Sequence, residues 1–295
     1  EKWDFVLQAD HKKSGAFWMS FMGGLDCENL KAHQFALLVY DEQDDVDDLT
    51  LPSNMPPKPE YTVVPPPGLQ VNTFNRACYD DLICVADLRS PYPLPEDIKI
   101  NKADITLYLA FSINFVDNKN YYSIKYYDIN SGNEDQQVTT PQINNISNVL
   151  PATPLIMSGK TNSQKFCNVD NPPANNSCYG DYCECLHMYK IPLGSIVDLV
   201  LIDEGINGPD NHPVHLHGQS YWVLGQNRPN DVPNASITRD QVIQMAKNGE
   251  LVRNFDHPVV KDTVTIPNGG YALVRFRAEN PGKKYYLFVK NSRSV

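Results

Sequence analysis

The sequence predicts an all-β protein, a β-sandwich with Greek-key connections. Short runs rich in Tyr, Val, Ile and Thr are broken by Pro, Asn, Gly and Asp, a composition that suits strands and tight turns. Several of these runs alternate apolar and polar residues, so one face of each can enter a core. Only one segment has helical character. With 295 residues, 41% of them hydrophobic and 20% charged, the chain is long enough for one large or two ordinary domains.

The first 41 residues read as strand, turn, strand, short connection, strand: WDFVLQA, GAFWMSFMG and HQFALLVYD. In the second run Phe17, Met19 and Phe21 alternate with Trp18, Ser20 and Met22. The opening EKWDFVLQAD has the alternation of a strand already under way and lacks a basic leader, which leads to the expectation of a longer parent protein. The character then changes. Residues 42–68 combine an acidic run with three proline clusters; the charges repel and the prolines forbid a central strand, so this stretch is expected to be a linker or a surface excursion. It divides the chain into residues 1–41, the end of one incomplete domain, and residues 69–295, a nearly complete second one.

Beyond residue 69 the alternating runs return as ADITLYLAFSINFV (103–116), SIVDLVLIDEG (195–205), SYWVLG (220–225), DTVTIP (262–267) and YALVRFRAE (271–279). The helical segment is TRDQVIQMAKNGELVR (238–253), with Val242, Ile243 and Met245 near one face and Gly249 as its stop signal. No fixed-period repeat is present.

The formal net charge of −10 argues against a nucleic-acid partner, because nothing in the chain would neutralise phosphates. No apolar run reaches membrane-spanning length. Seven cysteines occur, Cys27, Cys78, Cys84, Cys167, Cys178, Cys183 and Cys185, and four of them crowd into a polar, Pro/Asn-rich loop. Disulfides there would compensate for missing apolar burial; a metal knot is the alternative, although Cys183-Glu184-Cys185 is tighter than the usual zinc spacings. Three glycosylation sequons start at Asn145, Asn175 and Asn234. Cysteines and sequons together predict a secreted, disulfide-bonded glycoprotein.

Three of the seven histidines fall within six residues: His212, His215 and His217. His215 and His217 are two apart, so on extended backbone both imidazoles project to the same face. His212 precedes Pro213, which biases it towards extended geometry, and it is expected at a bend, pointing elsewhere. One convergent pair plus one separate ligand suits two neighbouring metal sites better than one, and imidazoles suit copper and zinc. A chance surface cluster and a mononuclear three-histidine zinc site remain as alternatives. His11, His33 and His257 lie outside any cluster and read as structural; His187 could brace the cysteine loop. Asp198, Asp203 and Glu204 edge a strand and suggest no acid/base pair. Arg275, inside an apolar strand, reads as a buried ion-pair partner, and Ser220 has no base to make it a nucleophile.

The segment NHPVHLHGQSYWVLG (211–225) resembles the ligand motif in the last cupredoxin domain of multicopper oxidases of the laccase type. RNFDHPVVKDTVTIPNGGYALVRFRAENPG (253–282) is similar to the stretch leading to that family's final copper motif. FCNVD, CYGDYCECLHMYKIPLGSIVDLVLIDEG and WDFVLQADHKKSGAFWMSFMGGLDC look like arthropod, in particular insect, laccases. The resemblance implies a cupredoxin-like fold, with residues 1–41 ending the second cupredoxin domain and 69–295 forming most of the third. It implies copper as cofactor, with His212 on the type 1 copper, His215 on the type 2 copper and His217 on one of the type 3 pair. It also implies phenols or catechols and dioxygen as reactants, the latter reduced to water.

The departures carry equal weight. A blue copper site needs a cysteine thiolate, which the family supplies from a His-Cys-His motif soon after the Asn-Pro-Gly turn. Here Asn280-Pro281-Gly282 is followed by KKYYLFVKNSRSV, and no His-Cys-His occurs in the chain. The histidine pairs of the family's first domain are missing as well, and Gln219 stands where many relatives have a further histidine. The chain by itself is therefore expected to be inactive; a degenerate, non-catalytic cupredoxin protein with weak copper binding or an interaction role is the alternative.

Overall fold

The computed structural model describes residues 2–8, 15–22, 31–40, 55–62, 64, 70–71, 82–117, 137–151, 166–173, 178–179, 182–205, 211–229, 236–280 and 287–289. These fall into two compact units, Trp3–Gly68 and Leu69–Val295, the latter taking in Glu1–Lys2. Most of the acidic, proline-rich stretch at 42–68 lies outside the described residues, as do His11, Cys27 and Cys78.

The smaller unit holds an antiparallel hairpin of β1 (Gly15–Met22) and β2 (His33–Tyr40), in register from Gly15 opposite Tyr40 to Met22 opposite His33. Aromatic pairs brace it: Phe17 meets Tyr40 edge-on at 5.6 Å and Trp18 meets Phe35 at 5.8 Å between ring centroids. Such pairs are the unit of sheet stabilisation. The Trp18 indole N–H donates to the Pro56 carbonyl at 2.9 Å, tying the following chain to the hairpin. The strand expected at WDFVLQA is not formed; residues 2–8 carry no ladder, and Phe5 and Val6 are exposed. Alternation supplied the pattern, but a strand also needs a neighbour to pair with.

The larger unit contains, in chain order, β3 (Gln70–Val71), β4 (Leu82–Ile83), β5 (Ile105–Asp117), β6 (Gln137–Ile143), β7 (Ile146–Asn148), β8 (Phe166–Cys167), β9 (Cys178–Tyr179), β10 (Tyr182–His187) and β11 (Ile196–Asp203). They are followed by β12 (His212–Leu216), β13 (Tyr221–Asn227), α1 (Arg239–Asn248), β14 (Val260–Lys261), β15 (Thr263–Ile266), β16 (Tyr271–Arg277) and β17 (Leu287–Val289). One sheet runs β14-β13-β16-β11-β5-β6-β7-β10-β8, with β9 beside β10; a three-stranded sheet runs β15-β12-β17. From β11 onward the chain repeatedly leaves one sheet for the other: β11 and β13 belong to the large sheet, β12 between them to the small one, and β15 and β16 divide likewise. Those crossings make the predicted sandwich. Side chains of the large sheet also bond to the backbone of the small one, Tyr221 Oη to the Val214 carbonyl at 3.1 Å and Gln226 Nε2 to the Thr265 carbonyl at 2.5 Å.

Strand β11 is buried along its whole length, and its two faces serve different layers. Ile196, Val200 and Ile202 join Leu224, Leu273, Tyr271, Val242 of α1 and the preceding segment's Leu94 and Ile98 in one core. By alternation, Val197, Leu199, Leu201 and Asp203 face the other way, towards the small sheet. Helix α1 begins with a reciprocal cap, the Thr238 hydroxyl accepting from Gln241 N and the Gln241 side chain accepting from Thr238 N. It ends, as the sequence predicts, at Gly249, which adopts the left-handed conformation (φ 76°).

Two further expectations concern buried chemistry. Arg275 lies opposite Asp198 in the β11–β16 register and forms a two-pronged ion pair with it, Nε to Oδ1 at 2.6 Å and Nη2 to Oδ2 at 2.9 Å. Its remaining nitrogen donates to the Ile98 and Ile100 carbonyls, so the buried charge is fully met. In the cysteine-rich region Cys167 and Cys185 form a disulfide with Cα atoms 6.0 Å apart; Cys183 there, and Cys84 elsewhere in the unit, each take part in a disulfide as well.

Candidate metal centre

The histidine strip runs along β12, which carries His212 and His215 and is held between β15 and β17, into the turn after it, which carries His217. His212 pairs with Ile266 and His215 with Thr263 on one side; Val214 pairs with Val289 on the other. Alternation along β12 sorts its side chains into two sets. His212, Val214 and Leu216 are buried, whereas Pro213 and His215 are half-buried and His217 is exposed. His212 thus points into the sandwich, and His215 and His217 lie on the opposite face. Their rings are neighbours, with centroids 4.9 Å apart and planes inclined by 51°.

This is the division into one separate residue and one convergent pair that the spacing predicts, but its cause differs. His212 is not at a bend. It is the first residue of a regular strand, and the odd three-residue step from His212 to His215 is enough to reverse its direction. Pro213 is accommodated within the strand, opposite Thr265. Just after the pair, Gly218 takes a left-handed backbone (φ 72°), and a Cβ there would stand 3.4 Å from Asn280 Nδ2. Gln219 donates to the Arg277 carbonyl at 3.1 Å, anchoring the turn to β16.

Each of the two strand histidines has a partner on one ring nitrogen. His215 Nδ1 lies 2.9 Å from the Asp262 carbonyl oxygen and 3.0 Å from Thr263 Oγ1. A carbonyl can only accept, so Nδ1 carries the proton and Nε2 offers its lone pair. The Thr263 hydroxyl in turn donates to the Asp262 carboxylate at 2.9 Å; this bond, with Lys2 nearby, holds that carboxyl below the usual range. His212 faces a carboxylate instead. Asp203 Oδ2 at the end of β11 lies 3.4 Å from His212 Nε2, with side chains only 4% and 8% exposed. This is a charge contact without the geometry of a hydrogen bond. Asp203 is itself held by accepting from Gly205 N at 2.8 Å.

These features fit copper or another imidazole-binding ion, because the tautomer of His215 is set from outside the ring, as it is around metal-bound histidines, and a buried carboxylate lies beside His212. They do not fit one ion held by all three residues, since His212 projects through the opposite face of the strand. Among the described residues, no group of three or more His, Cys, Asp or Glu side chains converges on one point.

The other described histidines, His33, His187 and His257, serve the fold. His33 Nε2 is 2.7 Å from Ser20 Oγ in the hairpin of the smaller unit. His257 Nδ1 bonds to the Ser90 carbonyl at 3.0 Å. His187 sits beside Tyr189, ring centroids 5.3 Å apart, and burial pushes its pKa down to about 4. Sequence reasoning missed Asp203, Asp262 and Thr263 as partners. The available signal for Asp203 was its acidic side chain closing an otherwise apolar strand shortly before the histidines; for the other two there was none, because their role comes from strand pairing across about fifty residues.

The chain matches the family model described as "Multicopper oxidase" over residues 126–288, more than half of its length and including the whole histidine strip. Among curated proteins it is similar to Laccase-4 of Arabidopsis thaliana, 34% identical over 161 residues, which make up 52% of this chain and 26% of that protein. It is also similar to Laccase-22 of Oryza sativa subsp. japonica, 30% identical over 149 residues, 48% of this chain and 24% of that protein. Its matched part thus spans about a quarter of these relatives. Among solved structures, Fet3p, a multicopper oxidase that functions in iron import, aligns with 87% of this chain and 36% of its own at 18% identity and a TM-score of 0.47. The all-β architecture, the histidine strip and the family match agree: the chain belongs to the multicopper oxidase family, with copper as the family's cofactor.

Proposed function

We propose that this chain is the C-terminal part of a laccase-type oxidase, in which His212 serves the type 1 copper, His215 the type 2 copper and His217 one of the type 3 pair. The observation that supports this reading best is the division of one short strand between two sides. A buried imidazole backed by a carboxylate faces inward, and two neighbouring imidazoles face outward. Copper held by such residues would supply one-electron acceptance from a phenol and delivery of those electrons to dioxygen. The contribution of this chain's residues is positional: Asp203 orients His212, the Asp262 carbonyl and Thr263 orient His215, and β12 links the two sides through a few covalent bonds.

In this reading residues 1–41 end a second cupredoxin domain, 42–68 are the linker, and 69–295 form the third domain. The substrates are phenols or catechols, and the product of dioxygen is water. The resemblance of the cysteine-rich segment favours an arthropod-type enzyme, and the disulfides support a secretory route. The sequence contains no His-Cys-His, and its single His-x-His is His215-Leu216-His217, so the chain alone is inactive until other residues supply a thiolate and the remaining imidazoles.

Copper titration of the purified chain, followed by electron paramagnetic resonance, tests the assignment. Imidazole-coordinated copper lost on replacing both His215 and His217, together with no phenol oxidation by the chain alone, is the expected result. An intense blue thiolate-to-copper absorption would contradict the missing type 1 thiolate. Binding of one zinc ion with hydrolytic turnover that disappears in His212→Ala would replace the proposal with a mononuclear hydrolase. A non-catalytic, copper-holding cupredoxin protein is the second reading; a complete transcript ending at Val295 would select it.

A further inference from the structure

The tip of the β6–β7 hairpin carries chemistry that the copper reading does not use. Ile143 pairs with Ile146 across a two-residue turn. Its central residues Asn144 and Asn145 both adopt left-handed backbones, with φ 54° and 59°, the geometry of a type I′ turn. The two asparagines differ completely in their surroundings. The Asn144 side chain is consumed by the fold: Oδ1 accepts from Ala110 N at 2.9 Å, and Nδ2 donates to the Tyr108 carbonyl at 3.0 Å and to Tyr189 Oη at 3.3 Å. Asn145 is exposed. Its backbone carbonyl accepts from Cys183 N at 2.9 Å, which pins the backbone and leaves the side-chain amide towards solvent. It opens the sequon Asn145-Ile146-Ser147, and Ile146 is buried beneath it.

The neighbouring strand supplies the second observation. β7 pairs in parallel with β10, Ile146 opposite Cys183 and Asn148 opposite Cys185. Cys185 is disulfide-bonded to Cys167, and Cys183 is also oxidised. Disulfides at these cysteines suit an oxidising compartment, where a sequon also meets the glycosylation machinery.

We propose that Asn145 carries an N-linked glycan, a conclusion that rests on the secretory reading above. The donor is an oligosaccharide linked to a lipid diphosphate. The Asn145 amide nitrogen forms a bond to the anomeric carbon, the bond from that carbon to the diphosphate oxygen breaks, the lipid diphosphate leaves, and the amide proton passes to a base of the transferase. The glycan then covers the hairpin tip, next to the disulfide-bonded strand. Asn145 combines the amide needed for modification with tolerance of the left-handed backbone, which few other residues share.

The test uses protein purified from its source. Enzymatic glycan release in heavy-oxygen water, followed by peptide mass mapping, is expected to return position 145 as labelled aspartate, and Ser147→Ala, secreted from a eukaryotic host, to lose the label. Asn145→Gly keeps the turn geometry and is expected to lose the same glycan mass while remaining folded. An unmodified Asn145 overturns the proposal. If the Cys167–Cys185 disulfide is found in the same digest, the secretory reading survives that result; if those thiols are free, both fall.

Discussion

The Asp203 carboxylate lies 3.4 Å from His212 Nε2 in the space between the two sheets, with neither side chain more than a tenth exposed. Asp203 comes from the last position of β11 and His212 from the first of β12. The contact therefore spans the crossing from one sheet to the other.

If His212 is a copper ligand positioned by Asp203, Asp203→Asn keeps the shape and removes the charge beside Nε2. Loss of such a partner typically weakens metal affinity by about 10–100-fold. A competition titration with a copper chelator on wild-type and variant protein measures this; unchanged affinity in the variant would show that Asp203 serves packing alone.

Asp198 and Arg275 are a buried pair in a register that places them opposite each other on neighbouring strands. Asp198→Ala leaves a guanidinium with no carboxylate inside the core. Breaking such a pair from one side costs about 3–5 kcal/mol, so urea unfolding should show a correspondingly lower midpoint. Replacing both residues by apolar side chains of similar volume should recover much of the loss, which distinguishes a stranded charge from lost packing.

His187 gives the fold a dependence on pH. Burial lowers its pKa from 6.5 to about 4, so between those values the unfolded chain binds a proton that the folded chain refuses. Stability from this residue is complete above roughly pH 6.5 and declines as pH falls towards 4. Its contribution is at most about 3 kcal/mol, reduced by the ring's partial exposure. His187→Phe, which keeps a ring beside Tyr189, should flatten the stability profile in that window and leave it unchanged at neutral pH.

Gly225 lies at an irregularity in β13, where the register with β16 shifts between Val223 and Gly225. A Cβ there would overlap the Val252 carbonyl oxygen and stand 2.9 Å from its carbonyl carbon. That carbonyl belongs to backbone crossing the strand, held nearby by Asn254 N donating to the Leu224 carbonyl at 2.6 Å. Gly225→Ala should therefore destabilise by about 3 kcal/mol, read as a fall in thermal midpoint; a neutral result would mean that the crossing segment yields readily.

Much of the larger unit's architecture was legible in the sequence because its signals are local. Alternation marked β5, β11, β13, β15 and β16, and Thr238 and Gly249 bounded the helix. The i, i+2 spacing placed His215 and His217 on one face. The opening run WDFVLQA had comparable alternation and forms no strand, because pairing depends on a partner that local pattern does not contain.

The sequence by itself determined the strand-rich class, the family, the pairing of His215 with His217 and the role of Arg275 as an ion-pair residue. These depend on side-chain period and residue type, which are properties of short segments. Only the tertiary structure decided that His212 meets Asp203, that the Asp262 carbonyl and Thr263 fix the proton on His215, and that Asn145, not Asn144, offers its amide to solvent. Each of these depends on which strands lie beside or across from one another, and strand order follows from packing the two sheets around a common core.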